Sequence, residues 1–267
     1  MSPEPLLADS ITKLGPEAVG AVVVTGSHGG VFPASLAGAA GCRAAIFNDA
    51  GGGLERAGIG GLDWLEARGM AAAAVDHRSA EIGDAAAMLT RGRISHTNAP
   101  AAALGITPGM ACADAAARLA AAPLPEGRAT PLAEARRELN PEGARRRLVL
   151  VDSASLVTAA DTGQVVVTGS HGAIFGGDPR NALKADAYLA LFNDAGGGVG
   201  TTRLPALQAR GIAAATVAAA SARIGDAAST WQDGIISAAN PAAAALGARP
   251  DFPARTLVAT ALNMTGR

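Results

Sequence analysis

The chain of 267 residues carries the same motifs twice, and this repetition constrains its fold more than any other feature. Residues 22–29 read VVVTGSHG and recur unchanged at 165–172, while residues 47–53 read FNDAGGG and recur at 192–198. Residues 79–105 match residues 221–247 at 16 of 27 positions. The offset between the copies stays between 142 and 145 residues. This spacing predicts two tandem homologous repeats, residues 1–112 and 148–267.

A linker at 113–147 separates the repeats, and we expect it to be helical. Residues 131–140 have the composition of a short exposed helix, and Asn140 followed by Pro141 would end it.

Each copy alternates short apolar runs with helical patterns. In the second copy the apolar runs are residues 148–151, 165–167, 188–192 and 212–217. Short continuous apolar runs of this kind are typical of parallel strands that are buried on both faces. We therefore expect an α/β fold in which two repeats of mostly parallel strands, with covering helices, are related by a pseudo-two-fold axis.

Composition excludes several classes of partner. The formal net charge of −1 gives no electrostatic basis for binding nucleic acid or an anionic membrane. No apolar run approaches the ~18–20 residues of a membrane-spanning helix, and the first residues lack the basic flank and apolar stretch of a secretory signal. The only two cysteines, Cys42 and Cys112, suit a reducing compartment. We expect a cytoplasmic protein with a small-molecule substrate, and a homo-oligomer is left open.

The polar and glycine-rich motifs all follow an apolar run and precede a helical pattern. In parallel α/β sheets such loops meet at the carboxyl ends of the strands, where ligands bind. The candidate catalytic residues are Ser27, His28, Asp49, Asp84, Ser170, His171, Asp194 and Asp226. The candidate substrate-binding residues are Gly29, Asn48, Gly51, Gly52, His77, Ser79, His96, Asn193, Gly196, Gly197, Ser221 and Arg223.

Each candidate has a structural alternative. His28 is expected to pair with Asp49 or Asp84, which would fix its tautomer. Alternatively, Ser27 caps a helix and His28 only satisfies loop carbonyls. Helix capping is the favoured interpretation for Asp84 and Asp226, and we expect Asn98 and Asn240 to cap the last helix of each copy.

No cofactor is predicted. The only lysines, Lys13 and Lys184, lie outside the glycine-rich loops, so a Walker-type phosphate site is absent. A divalent metal on His28, Asp49 and Asp84 is a weaker alternative, because none of the tight metal-ligand spacings occurs.

The two copies differ at a few informative positions. Residues 76–78 read DHR where residues 218–220 read AAA, and His96 aligns with Ala238. Glu81 aligns with Arg223, a candidate clamp for a carboxylate or phosphate. These departures indicate either two clefts that are no longer equivalent or one cleft that both copies share, unless they are drift on surface loops.

Serine, histidine and aspartate beside glycine-lined backbone amides are the groups that acyl transfer requires. The leading hypothesis is a hydrolase that acts on an amide, imide or ester of a small carboxylate-bearing compound. A lyase or isomerase that uses the same histidine and aspartate is the first alternative. A module that binds a small anion without turnover is the second.

Overall fold

The computed structural model describes residues 4–174 and 178–265. It is a mixed α/β structure with two separate sheets of five and six mostly parallel strands. The chain divides into two compact units. The first unit runs up to Gly52 and includes Arg56–Ala133, whereas the second contains Gly53–Glu55 and the chain from Glu134 onward.

The sheet of the first unit has its strands in sequence order. The strands β1 to β4 are parallel, and β5 is antiparallel to β4. Their bounds are Leu6–Ala8 for β1, Val22–His28 for β2, Ala44–Asn48 for β3, Ala71–Val75 for β4 and Ile94–Thr97 for β5.

Helices cover both faces of this sheet. Alternate strand residues point to opposite faces, so Val23 and Ala45 belong to one apolar cluster while Val24 and Ile46 belong to the other. The helices α1 (Val31–Ala40) and α2 (Gly61–Glu66) pack on the first cluster. The second cluster contains residues of α3 (Ala85–Arg91), α4 (Ala99–Ala103) and α5 (Cys112–Leu119). Burial on both faces explains why the strands are apolar throughout rather than alternating.

The sheet of the second unit has the same order with one strand added. The strands β7 to β10 are parallel, β11 is antiparallel to β10, and β6 is antiparallel to β7. Their bounds are Arg136–Leu139 for β6, Leu148–Val151 for β7, Val165–His171 for β8, Leu189–Asn193 for β9, Ala213–Val217 for β10 and Ile236–Ala239 for β11.

Four helices cover this second sheet within the described residues. One face packs against α6 (Arg203–Ala209), through Leu204 and Leu207. The other face packs against the remaining three helices, which are α7 (Ala227–Gln232), α8 (Pro241–Ala245) and α9 (Ala254–Asn263).

The predicted helix at residues 131–140 is wrong, because this segment contains strand β6. Arg136 pairs with Val151 and Leu139 pairs with Leu148 in an antiparallel ladder. The exposed backbone edge of β7 offers hydrogen bonds that an isolated short helix cannot match, since short helices are marginal in water.

The units also differ after their second parallel strand. In the first unit, α1 packs so closely on Gly61 that a Cβ there would clash with the carbonyl of Gly30. The second unit has Arg203 at the aligned position, 142 residues on. Its buried guanidinium donates to the backbone carbonyls of Ala173, Asn181 and Ala182. Burial lowers the pKa of Arg203 to about 10.

Across the described ranges, every helix is too short or too polar to cross a bilayer.

Candidate functional site

Within each unit, the loops that follow the parallel strands lie against one another. In the first unit the N–H of Gly83 donates to the carbonyl of Gly26 at 2.8 Å, and the N–H of Gly29 donates to the carbonyl of Asn48 at 2.9 Å. In the second unit Gly225 donates to Gly169, and Gly172 donates to Asn193, both at 2.7 Å. The repeated motifs therefore form one strand-end edge in each unit.

Gly26 shows why one motif position must be glycine. A Cβ at Gly26 would lie 2.7 Å from the carbonyl oxygen of Asp9 and 2.7 Å from the carbonyl carbon of Gly83. Gly169 is crowded in the same way by Asp152, Gly225 and Asp226. At this position glycine permits close packing of backbone on backbone.

The two motif serines bind backbone. The hydroxyl of Ser27 accepts a hydrogen bond from the N–H of Ile11 at 3.0 Å, and Ser170 accepts from Ala154 at 2.8 Å. Each serine thereby ties the end of its own strand to the 3₁₀ turn that follows the preceding strand. Their described contacts do not include an imidazole.

The two motif histidines also make matching backbone contacts. The Nδ1 of His28 accepts from the N–H of Gly30 at 3.1 Å, and the Nδ1 of His171 accepts from Ala173 at 3.2 Å. Burial lowers the pKa of His28 to about 4, because the charged imidazolium would lose its hydration. The expected pairing of His28 with Asp49 or Asp84 is wrong, since neither carboxylate is among the contacts of His28 in the described part of the chain.

Asn48 and Asn193 are fully buried, and both ends of each amide are used. The Nδ2 of Asn48 donates to the carbonyl of Ala80 at 3.0 Å, and its Oδ1 accepts from Ala50 at 3.0 Å. Asn193 makes the equivalent bonds to Ala222 and Ala195 at 2.9 Å. These contacts join the loops after adjacent strands.

Asp84 and Asp226 are helix caps. Asp84 accepts from the N–H of Ala87 at 2.8 Å at the start of α3, and Asp226 accepts from Ser229 at 2.9 Å at the start of α7. Asp226 also binds the Nε of Arg223 at 3.2 Å, and this hydrogen bond raises the pKa of Arg223. The predicted clamp is thus paired with a carboxylate.

Ser79 and Ser221 hold the loops after β4 and β10. The hydroxyl of Ser79 donates to the carbonyl of Asp76 at 2.7 Å and accepts from the N–H of Arg93 at 2.8 Å. Ser221 makes the same two kinds of contact in the second unit. The remaining candidate, His96, is exposed on β5 and contacts the hydroxyl of Ser95 at 3.0 Å.

The structure brings Asp49 together with His77. The Nδ1 of His77 lies 2.8 Å from the Oδ1 of Asp49. The same oxygen accepts from the backbone N–H of His77 at 3.1 Å and from that of Gly51 at 2.8 Å. The side chain of Asp49 is 7% exposed and that of His77 is 23% exposed. A carboxylate only accepts hydrogen bonds, so the Nδ1 of neutral His77 carries its proton.

Glycine permits the turn beside the imidazole. Gly51 has a left-handed φ of 76°, which residues with a side chain rarely adopt. Gly52, at φ 74°, continues the turn by donating to the backbone carbonyl of Asp49 at 2.8 Å. In the second unit Gly196 and Gly197 also have positive φ.

A second carboxylate lies beside the pair. The Oδ1 of Asp76 is 3.6 Å from the Nδ1 of His77. Hydrogen bonds from Arg78 hold the pKa of Asp76 at about 2, well below its usual value. Arg78 itself is 79% exposed.

The second unit retains the frame of this site, including the aspartate Asp194, but has alanines in place of Asp76 and His77. Asp194 accepts from the backbone N–H of Ala219 at 2.7 Å, as Asp49 does from His77. Because Ala218 and Ala219 stand where the first unit has Asp76 and His77, the loop does not need these side chains to keep its shape.

Among the described residues, Asp49, Asp76 and His77 also form a group that could hold a metal ion, with ligand atoms within 4.8 Å of one another. The group differs from the set predicted from the sequence, since His28 and Asp84 are bound elsewhere. Three hydrogen bonds already use one oxygen of Asp49, and Arg78 already pairs with Asp76.

The sequence predicts Asp49 as a catalytic residue and His77 as a substrate-binding residue, without pairing them, and Asp76 is not among the predicted site residues. The available signal was the contrast between residues 76–78 and 218–220, where one copy has three ionisable residues and the other has three alanines. That contrast singles out the loop after β4 as the place where the units differ chemically.

Comparison of the chain with protein-family models, with curated proteins and with solved structures gives no match in any of the three.

Proposed function

We propose that the first unit is a hydrolase that cleaves the amide, imide or ester bond of a small carboxylate-bearing compound. His77 is the general base and Asp49 orients it. The observation that carries the proposal is the 2.8 Å contact between a largely buried carboxylate and a partly exposed imidazole. A base that acts on substrate needs this combination of a fixed ring and an accessible edge.

The chemistry follows from the tautomer. With its proton on Nδ1, His77 has a free electron pair on Nε2, which takes a proton from water as the water oxygen attacks the substrate carbonyl. The imidazolium then gives that proton to the leaving nitrogen or oxygen when the carbon bond to it breaks. Asp49 stabilises the transient positive charge without being protonated itself, as in serine hydrolases that pair histidine with aspartate.

Arg78 is our proposed contact for the substrate carboxylate. It follows His77 directly and is 79% exposed. Its partner Asp76 binds the Nε and Nη2 groups of the guanidinium. A carboxylate on the substrate binds the Nη1 group, which lies outside this pair.

The alternatives are weaker. A lyase or isomerase would use the same pair to remove a proton from carbon, and no contact favours this over attack by water. The anion-binding module requires Arg223, whose guanidinium is already paired with two carboxylates, those of Asp226 and Glu55, both at 3.2 Å.

The test is hydrolysis of a panel of small amides, imides and esters that carry a carboxylate, by the full chain. His77→Ala should lower kcat/KM by about 10²–10⁴-fold, the usual contribution of a general base. The fold should survive, because alanine occupies the aligned position 219. Asp63→Asn, which changes an exposed residue of α2 in the same unit, is the control and should leave the rate unchanged.

Two further readouts separate the alternatives. Incorporation of ¹⁸O from water into the acid product identifies hydrolysis, whereas exchange of a substrate proton for deuterium without cleavage identifies an isomerase. Full activity in EDTA is expected, and its loss would assign Asp49, Asp76 and His77 to a metal instead. If His77→Ala retains wild-type kcat/KM, the general-base role is refuted.

We also infer that the two units arose by tandem duplication. Identical octapeptides, the shared order of the parallel strands and the matched contacts of Ser27 with Ser170 support this inference. Cytoplasmic location is our proposal as well, supported by the free and buried Cys42 and Cys112.

A further inference from the structure

The second unit contains a cavity of about 340 Å³ to which the proposed function assigns no role. It lies where strand β6 meets the end of β7 and the start of α7, and its lining includes Ala135, Arg137, Leu150, Asp152 and Asp226. A volume of this size falls within the range of small-molecule sites, roughly 300–1,000 Å³.

Strand β6 supplies one wall of the cavity. In the ladder of β6 with β7, Arg136 pairs with Val151 and Arg137 pairs with Leu150. Neighbouring residues on a strand point to opposite faces. Arg136 binds Asp161 on one face, so Arg137 faces the cavity on the other together with Leu150.

Arg137 brings an available cation to the site. Within the described part of the chain, its guanidinium makes no hydrogen bond or ion pair, unlike that of Arg136. A guanidinium fork binds a carboxylate through two parallel hydrogen bonds.

Carboxyl groups form another part of the site. Asp152 is fixed by two backbone donors, since one oxygen accepts from Ala135 at 2.8 Å and the other from Ala227 at 3.1 Å. Asp152 lines the cavity, so an ammonium group bound there would pair with its carboxylate.

From these placements we propose that the cavity beside β6 binds a small zwitterion of the α-amino acid class. Arg137 receives the carboxylate of the ligand, and Asp152 receives its ammonium group. The short apolar surface of Ala135 and Ala228 contacts its side chain. The site is independent of the hydrolase proposal, because it belongs to the second unit and shares no residue with the Asp49–His77 pair.

The probes are the twenty free L-amino acids, each titrated into the full chain and followed by calorimetry. Concentrations up to 10 mM allow dissociation constants in the millimolar range, about −4 kcal/mol, to be detected. We expect at least one to bind with one site per chain. Its N-acetyl and α-amide derivatives should each bind at least about tenfold more weakly, because one loses the ammonium group and the other loses the carboxylate.

Variants locate the binding. Arg137→Gln and Asp152→Asn should each weaken it at least about tenfold, since each removes one charge of the site. The matched control is Arg255→Gln, which changes an exposed arginine on α9 outside the cavity lining and should leave the affinity unchanged. The proposal is overturned if no amino acid binds, if the blocked derivatives bind equally well, or if Arg137→Gln binds like wild type.

Discussion

Asn98 should be one of the most costly single residues to remove from the first unit. It is 3% exposed, and its amide makes four hydrogen bonds to three different segments. Its Oδ1 accepts from Ala72 at 2.9 Å and from Ala101 at 3.1 Å. Its Nδ2 donates to the carbonyl of Met70 at 2.8 Å and to that of Leu62 at 3.3 Å.

The expected cost of Asn98→Ala can be summed from these contacts. The bond to Ala101 is a helix cap, and losing one costs about 1 kcal/mol. The other three contacts leave buried backbone groups unpaired at about 1 kcal/mol each, which gives about 4 kcal/mol in total. The free energy of unfolding, measured by urea denaturation of the full chain, should fall by this amount.

Asp84→Ala is the matched control. Asp84 caps α3 through a bond of 2.8 Å to Ala87, but it is exposed and bridges no other buried backbone. Its removal should therefore cost only about 1 kcal/mol. If Asn98→Ala costs no more than Asp84→Ala, the buried amide does not hold the strand and turn together, and the reasoning is refuted. Asn240 makes the same four contacts, so Asn240→Ala should repeat the result.

Three other predictions concern single residues. The pKa of His28 is about 4 in the folded protein, so its contribution to the free energy of unfolding is present above pH 6.5 and lost as the pH falls to about 4. His28→Gln cannot be protonated, so the variant should lose up to ~3 kcal/mol less of its unfolding free energy over this pH range than the wild type. The pKa of Glu134, raised by burial, has the opposite effect: its contribution to the free energy of unfolding is present below pH 4.5 and lost as the pH rises through about 7. Glu134→Gln should lose ~2 kcal/mol less of its unfolding free energy than the wild type as the pH rises. A flat difference between variant and wild type across pH would contradict either prediction. Gly26→Ala should lower the free energy of unfolding by ~3 kcal/mol, because the new Cβ would clash with backbone. Gly52→Ala should lower it by only ~1–2 kcal/mol, because its Cβ would meet no atom and only the left-handed φ is unfavourable. Equal decreases in melting temperature for the two variants would contradict this prediction.

The parallel strands and the edge where their loops meet were predictable from the sequence. Apolar runs followed by polar and glycine-rich motifs are sufficient, because parallel strands carry such loops to one edge. Asn98 and Asn240 are helix caps as expected, but the helices that they cap, α4 and α8, are not the last of their units, because α5 and α9 follow. Strand β6 was not predictable in this way. Arg136–Leu139 has a polar composition, and only the free edge of β7 makes it a strand.

The partner of Asp49 could not be predicted from residue types. His28 ends β2 and His77 follows β4, the two strands that flank β3, so either ring could have met the carboxylate. The backbone decides: Asp49 accepts the N–H of His77 and so fixes the position of that ring, whereas the turn at Gly30 takes the Nδ1 of His28. These hydrogen bonds depend on loop φ and ψ angles that motif spacing does not encode.

Long-range ¹H–¹⁵N NMR of the four imidazole rings tests the central claim, that Asp49 prepares His77 as a base. In the neutral state His77 should be the Nδ1–H tautomer, because its Nδ1 donates to a carboxylate. His28 should be the Nε2–H tautomer, because its Nδ1 accepts from Gly30. Asp49→Asn should weaken the Nδ1–H preference of His77 and leave that of His28 unchanged. A wild-type His77 with its proton on Nε2 would contradict the assignment of His77 as the general base.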